Sequence, residues 1–229
     1  MRMYKGAIFD LDGTLLNTLD DLTASVQWAM TDMGLTPCSR EQVRDYIGSG
    51  ALVLCRRCLG ENADESTLKE LLSRFQAHYR EPLRDKTAPF PGILELLHGM
   101  KEKGVKRGVV SNKFSAAAQA VCAFYFPDLM DAVVGEEPGV AIKPAPDSLL
   151  AVMRRFGLTP DECVMIGDSP QDIIAARRAG CLSVGVTWGY RSRSVLEEAG
   201  ADRIIDKASD LWIILGMPAP ITEAETVLS

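Results

Sequence analysis

Asp10 and Asp12 stand one residue apart at the end of the run Ala7-Ile8-Phe9, and Gly13-Thr14-Leu15 follows at once. An apolar run that ends in carboxylates is the pattern of a buried parallel strand delivering chemistry at its C-terminal end. Two carboxylates this close repel each other. They need a cation, or one must carry a proton while the other stays ionised. Taken alone, Asp12-Gly13 would also serve as a simple turn. Three further groups occupy the same kind of position. Ser111-Asn112-Lys113 closes Val109-Val110, and Lys143-Pro144 follows a loop after the next apolar run. Gly167-Asp168-Ser169 closes Val164-Met165-Ile166, with Asp172 four residues beyond Asp168.

In an open parallel sheet such strand ends line one crevice. The set then gathered holds carboxylates, a hydroxyl, a lysine and helix N-termini. Phosphoryl transfer uses these parts: a cation site, donors for the equatorial oxygens and a nucleophile. Oxygen donors without His or Cys suit Mg2+.

The elements that must position these residues are legible in part. After residue 90, short apolar runs at 105–110, 132–135, 163–166, 183–187 and 203–205 alternate with helical patterns at 92–103, 115–124, 147–156, 172–179 and 195–199. That alternation predicts an α/β fold with a doubly wound, Rossmann-like parallel sheet. Residues 16–85 show no convincing strand. Leu19, Leu22, Val26, Met30 and Met33 mark one helix face. Ser39 with Gln42 is a capping box for a second helix. A third spans about 50–59, and Leu68, Leu71, Leu72, Phe75 and Tyr79 mark a fourth. The expected organisation is a catalytic core from 1–15 and 86–229 with an all-helical cap inserted at 16–85. Pro82, Pro89 and Pro91 mark the return to the sheet, and residues 217–229 read as a loose tail.

Bulk properties narrow the function. The 229 residues carry a net charge of -6, which disfavours nucleic-acid binding through a basic face. No run approaches the length of a membrane helix, and no secretory leader precedes the first strand, so a cytoplasmic protein is the default. Cys55 and Cys58 have CxxC spacing but lie in a helical pattern without a second pair; the six cysteines read as buried thiols. The sequence leaves monomer and homodimer both open.

The ordered motifs resemble those of the haloacid dehalogenase superfamily over nearly the whole chain. Asp10-Leu11-Asp12-Gly13-Thr14-Leu15 is similar to its first motif, Ser111-Asn112 to its second, Lys143-Pro144 to its third and Gly167-Asp168-Ser169-Pro170-Gln171-Asp172 to its fourth. Residues 47–51 and 57–60, with 186–190, are most similar to the phosphoglycolate phosphatases. The resemblance implies a Mg2+-dependent phosphatase for a small phosphorylated metabolite. In it Asp10 attacks phosphorus and Asp12 handles the proton of the leaving group. Asp10, the Asp12 carbonyl and Asp168 hold the metal. Ser111, Asn112 and Lys143 hold the phosphoryl oxygens, and Lys143 also pairs with Asp10. Thr14 orders the loop and Asp172 supports the site, although Ser169 to Asp172 is also a capping box.

The resemblance further implies a cap that closes about the crossings at Leu15–Thr18 and Leu83–Ala88. Asn17 departs from the family pattern, where many relatives carry Asp. A sugar-phosphate mutase is the nearest alternative, disfavoured by Gly167 and Leu22 where such mutases tend to carry Glu and His. A pyrophosphatase and a non-catalytic phosphate-binding protein are the others. For the substrate's carboxylate, Arg57 is the expected ligand, beside the permissive turn at Gly48 and Gly50; its neighbour Arg56 points about 100° away on the same helix.

Overall fold

The computed structural model describes residues 3–60, 62–80 and 86–219. Six strands form one parallel sheet: β1 (Gly6–Phe9), β4 (Lys106–Phe114), β5 (Ala132–Glu136), β6 (Cys163–Gly167), β7 (Leu182–Val186) and β8 (Arg203–Ile205). Their order is β5-β4-β1-β6-β7-β8. Every residue of β1 is buried, as its unbroken apolar run requires for a strand paired on both sides. Its side chains alternate between two helical layers. Ala7 and Phe9 pack with Leu96, Leu97 and Met100 of α5 (Ile93–Glu102), Cys122 of α6 (Ser115–Tyr125) and Trp212 of α10 (Leu211–Leu215). Ile8 packs the other way, among Leu149 and Val152 of α7 (Asp147–Phe156) and Ala175 and Ala176 of α8 (Pro170–Ala179). This is the Rossmann-like doubly wound core that the alternation predicts.

Register then aligns the reactive strand ends. Phe9 pairs with Val109 on one side and Ile166 on the other. The next residues, Asp10, Val110 and Gly167, therefore stand side by side, and Asp10 N–H donates to Ile166 O at 2.9 Å. The chain leaves β1 for β4 and β5 on one side and later takes β6 to β8 on the other, so this is where the winding reverses.

Four helices follow β1: α1 (Leu19–Asp32), α2 (Arg40–Tyr46), α3 (Ala51–Leu59) and α4 (Glu65–Arg80). They share a hydrophobic cluster of their own, built on Leu22, Val26, Met30, Val43, Leu54, Leu71 and Phe75. Both halves of the Ser39–Gln42 capping box are present at α2. The expectation that residues 16–85 hold no strand needs correcting. β2 (Leu16–Asn17) pairs antiparallel with β3 (Ala88–Pro89) where the chain leaves and re-enters the sheet region. Two residues are too few to show a period, and the partners are far apart in sequence. Asp21 at the start of α1 also accepts from Thr87 N–H at 2.9 Å and Thr87 Oγ1 at 2.5 Å. The expected boundary at residue 85, residues 83–85 of the second crossing, Pro82 and the tail from 220 lie outside the described residues.

The two helical faces meet over the crevice through polar contacts. Arg191, which follows β7, donates to three carbonyls at the end of α2: Arg44 O at 2.8 Å, Asp45 O at 3.1 Å and Ile47 O at 2.6 Å. These carbonyls have no helical partner, and a guanidinium there also complements the helix dipole. Gln171 Nε2 donates to Ser49 Oγ at 3.0 Å. Arg191→Ala is expected to speed amide hydrogen exchange at residues 44–50 by about tenfold or more, with β1 and β6 unaffected. Exchange mass spectrometry checks this; equal rates in both proteins would show that Arg191 does not hold the seam.

Candidate active site

Asp10 is 5% exposed and stands at the bottom of the crevice. Lys143 Nζ lies 2.9 Å from its Oδ1 and 2.6 Å from Oδ1 of Asp172. Asp172 uses its other oxygen to accept from Ser169 N–H at 3.1 Å and Ser169 Oγ at 2.7 Å. The capping and site-building uses of Asp172 therefore coexist, one on each oxygen. Asp168 accepts from Tyr190 N–H at 2.7 Å and Thr14 Oγ1 at 3.4 Å. Asn112 knits the same floor: its Oδ1 accepts from Lys143 N–H at 2.9 Å, and its Nδ2 donates to Lys143 O and Gly48 O, each at 2.9 Å.

One carboxylate oxygen each from Asp10, Asp168 and Asp172 falls within a 4.8 Å cluster. All three groups are buried, and among them only Lys143 supplies a positive charge in contact. Burial pushes Asp10 up to about 6 in spite of Lys143, with Asp172 and Asp12 adding repulsion. Burial and the charges of Asp10 and Asp172 push Asp168 up to about 8. The Oδ1 atom of Asp10 is buried without an aligned hydrogen-bond donor. Excess negative charge on clustered, buried carboxylate oxygens fits a hard divalent cation such as Mg2+. Gly13 makes the approach feasible: it sits at φ +90°, and a Cβ there would lie 2.4 Å from Asp168 Oδ2.

Asp12 faces away from this cluster. Its carboxylate accepts from Thr18 Oγ1 at 2.7 Å and lies 2.9 Å from Lys113 Nζ. Asp12 thus has hydrogen-bonding partners of its own, separate from those of Asp10. A cleft of about 550 Å3 opens above Asp10, Asp12, Ser111, Asn112 and Lys113, walled by Leu22, Leu54, Phe75 and Phe114. Gly48 and Gly50 line it as expected. Gly50 has φ +87°, and a Cβ would be 3.4 Å from Asn112 O.

Arg57 does not join this set. It is exposed, with its guanidinium 5.9 Å from the Tyr46 ring centroid, and it does not line the cleft. Arg56 pairs with Glu65 at 2.8 Å on the surface. Packing of α3 against α2 and α4 buries Leu54 and Cys55, which turns both arginines outward. The cation that does line the cleft is Lys113, to which the motif analysis gives no role. The β4–β5 register shifts between Val110 and Phe114, so residues 111–113 leave the regular alternation and all three line the cleft. No strand period in the sequence signals this. The uses of Tyr79, the end of an apolar helix stripe, and of Tyr190, whose N–H reaches Asp168 and whose hydroxyl accepts from Thr18 N–H, depend on partners distant in sequence.

The family model described as haloacid dehalogenase-like hydrolase matches residues 7–186. A phosphoglycolate phosphatase of Haemophilus influenzae (strain 86-028NP) is 38% identical over 215 residues, covering 90% of this chain and 96% of the relative. One from Pasteurella multocida is 35% identical over 223 residues, covering 94% of this chain and all of its own length. A crystal structure described as a predicted phosphoglycolate phosphatase from Haemophilus somnus superposes with a TM-score of 0.87 at 33% identity, covering 93% of this chain and 99% of that one.

The raised carboxyls give a pH signature. Between the ordinary carboxyl value of about 4 and their own values of about 6 and about 8, Asp10 and Asp168 hold protons that the unfolded chain has released. Without divalent cations, stability from this cluster is greatest at low pH and falls as pH rises through 6 and 8. Mg2+ binds the ionised form, so its stabilising effect grows over the same range. Thermal unfolding with and without millimolar Mg2+ should show a larger rise in Tm near pH 8 than near pH 5. Asp168→Asn should raise the metal-free Tm near pH 8 and remove most of the Mg2+ effect. A Mg2+ effect independent of pH would place the ion elsewhere.

Proposed function

The chain belongs to the haloacid dehalogenase-like hydrolases, and from that premise we propose that it is a Mg2+-dependent phosphatase acting on 2-phosphoglycolate through an aspartyl-phosphate. The observation that carries this reading is the separation of the two carboxylates at the first motif: Asp10 sits in the cation cluster and Asp12 beside it, held by Thr18 and Lys113. This supports a division of labour in which Asp10 attacks and Asp12 moves a proton.

In the proposed reaction, an oxygen of Asp10 forms a bond to phosphorus as the ester bond breaks. Asp12 gives its proton to the departing alkoxide. Water then attacks the phosphorus of the aspartyl-phosphate, and Asp12 takes the proton that the water loses. Asp10 returns to its carboxylate and inorganic phosphate leaves. Ser111 Oγ, the Asn112 backbone N–H and the Lys143 ammonium serve the phosphoryl oxygens, where negative charge spreads in the transition state. Asp10, the Asp12 carbonyl and Asp168 would hold Mg2+, whose charge would offset the repulsion between a dianionic phosphate and these carboxylates. Thr14 and Asp172 position the cluster through Asp168 and Lys143.

Two features speak against the mutase alternative. A side chain at Gly167 would meet Asp172 Cγ at 2.2 Å, so the Glu that such mutases tend to carry does not fit. Leu22 places an apolar wall in the cleft where a histidine is expected. The phosphatase reading also follows relatives that cover almost all of this chain.

Asp10→Asn is expected to keep the fold and to lower kcat on 2-phosphoglycolate by at least about 1,000-fold, because a neutral amide does not attack phosphorus. Phosphate release with Mg2+ and circular dichroism check the two halves of this statement. A variant within tenfold of the wild type would remove Asp10 as the nucleophile.

A further inference from the structure

Lys113 lines the cleft, and beyond its contact with Asp12 it has no part in the reaction derived above. Its side chain is almost wholly buried, and its Nζ lies 2.9 and 3.1 Å from the two oxygens of Asp12 and 2.8 Å from the Tyr79 hydroxyl. An ammonium carries three N–H donors. The two Asp12 oxygens and the Tyr79 hydroxyl are its three acceptors, two of them on one carboxylate. Tyr79 accepts from Lys113, and its own O–H has no acceptor among the described residues. A buried ammonium and an unused phenol O–H thus stand side by side in the cleft lining.

The surroundings say what these donors suit. Lys113 is the only cationic residue lining the cleft among the described residues, and Leu22, Ile47, Leu54, Phe75 and Phe114 supply much of the wall. Apolar walls offer nothing to the hydroxyls of a sugar phosphate. They strengthen the attraction of a single ammonium for a single anion by excluding water. The position of Asp12 acts as a ruler. The ester oxygen must reach Asp12 to receive its proton, and Lys113 Nζ is 2.9 Å from that same carboxylate. An anion bonded to Lys113 at about 2.8 Å is therefore only a few atoms from the ester oxygen.

We propose that Lys113 and Tyr79 form the subsite for the substrate's distal carboxylate, one or two carbons from the ester oxygen. The proposal rests on the phosphatase reading above and puts the recognition cation on β4 rather than at Arg57. Lys113 comes from the sheet and Tyr79 from α4, so an anion bound to both ties the two helical and sheet regions together over the reacting phosphate. Substrate recognition and closure of the crevice are then one event.

The test compares 2-phosphoglycolate with ethyl phosphate, which carries a methyl group in place of the carboxylate, in the full chain with Mg2+. Tyr79→Phe keeps the ring that stacks on Phe75 at 5.7 Å and removes only the hydroxyl. It is expected to lower the preference for 2-phosphoglycolate by about tenfold, through KM, with ethyl phosphate turnover within about threefold and inhibition by inorganic phosphate unchanged. Lys113→Met loses a partner of Asp12 as well, so it should slow both substrates, yet the ratio of their kcat/KM values should fall by about thirtyfold or more. If both variants keep the wild-type ratio, the carboxylate binds elsewhere and the proposal fails while the phosphatase reading stands. If the wild type itself does not prefer 2-phosphoglycolate to ethyl phosphate, no carboxylate is read, and both the subsite and the assigned substrate fall. Tyr79→Phe keeps the comparison decisive should Lys113→Met not fold.

Discussion

Three carboxylates share one buried pocket with a single lysine in contact, and most of the local structure follows from that imbalance. Asp10, Asp168 and Asp172 would repel each other strongly in a water-poor site. Lys143 is held between Asp10 and Asp172, and their charges raise its proton affinity against the opposing effect of burial. Backbone donors from Ser169 and Tyr190 and the Thr14 hydroxyl satisfy further oxygens. What remains is a surplus of negative charge on buried carboxylates, which is how a cation site is built.

The fold tolerates this stress because the carboxylates stand on strand ends of a rigid sheet. β1 is buried on both faces and paired on both edges, so Asp10 has little freedom to move away from Asp168. The glycines beside the site are needed for space: Gly13 and Gly167 have no room for a Cβ against Asp168 and Asp172. The region that covers the pocket is held differently. Its contacts with the sheet are polar and local: Arg191 on the end of α2, Gln171 on Ser49, Asn112 on Gly48 and Lys113 on Tyr79. Tyr190 adds a ring packed on the apolar cluster of these helices, and polar contacts of this kind exchange with water at modest cost.

The sequence by itself determined the sheet core and its reactive floor. Ala7-Ile8-Phe9 and Val164-Met165-Ile166 are long enough apolar runs to be strands, and a parallel sheet brings their ends together whatever surrounds them. That Asp10, Asp12, Ser111 and Asp168 meet in one crevice was therefore legible from strand-end position, whereas Lys143, in the loop after β5, was drawn in by the motif resemblance. The helical stripe ending in Phe75 and Tyr79 was legible as a helix, but its use was not, since a residue at the end of an apolar face packs or lines a cleft according to what lies opposite. Only the tertiary structure decided the orientation of α3, which sends Arg57 outward, and the irregularity after Val110, which turns Lys113 inward. The same holds for the Leu16–Asn17 and Ala88–Pro89 ladder, which joins two segments too short to carry a pattern. Helix rotation and strand bulges are set by packing partners distant in sequence, so the chemistry of the cleft wall had to wait for the fold, while that of its floor did not.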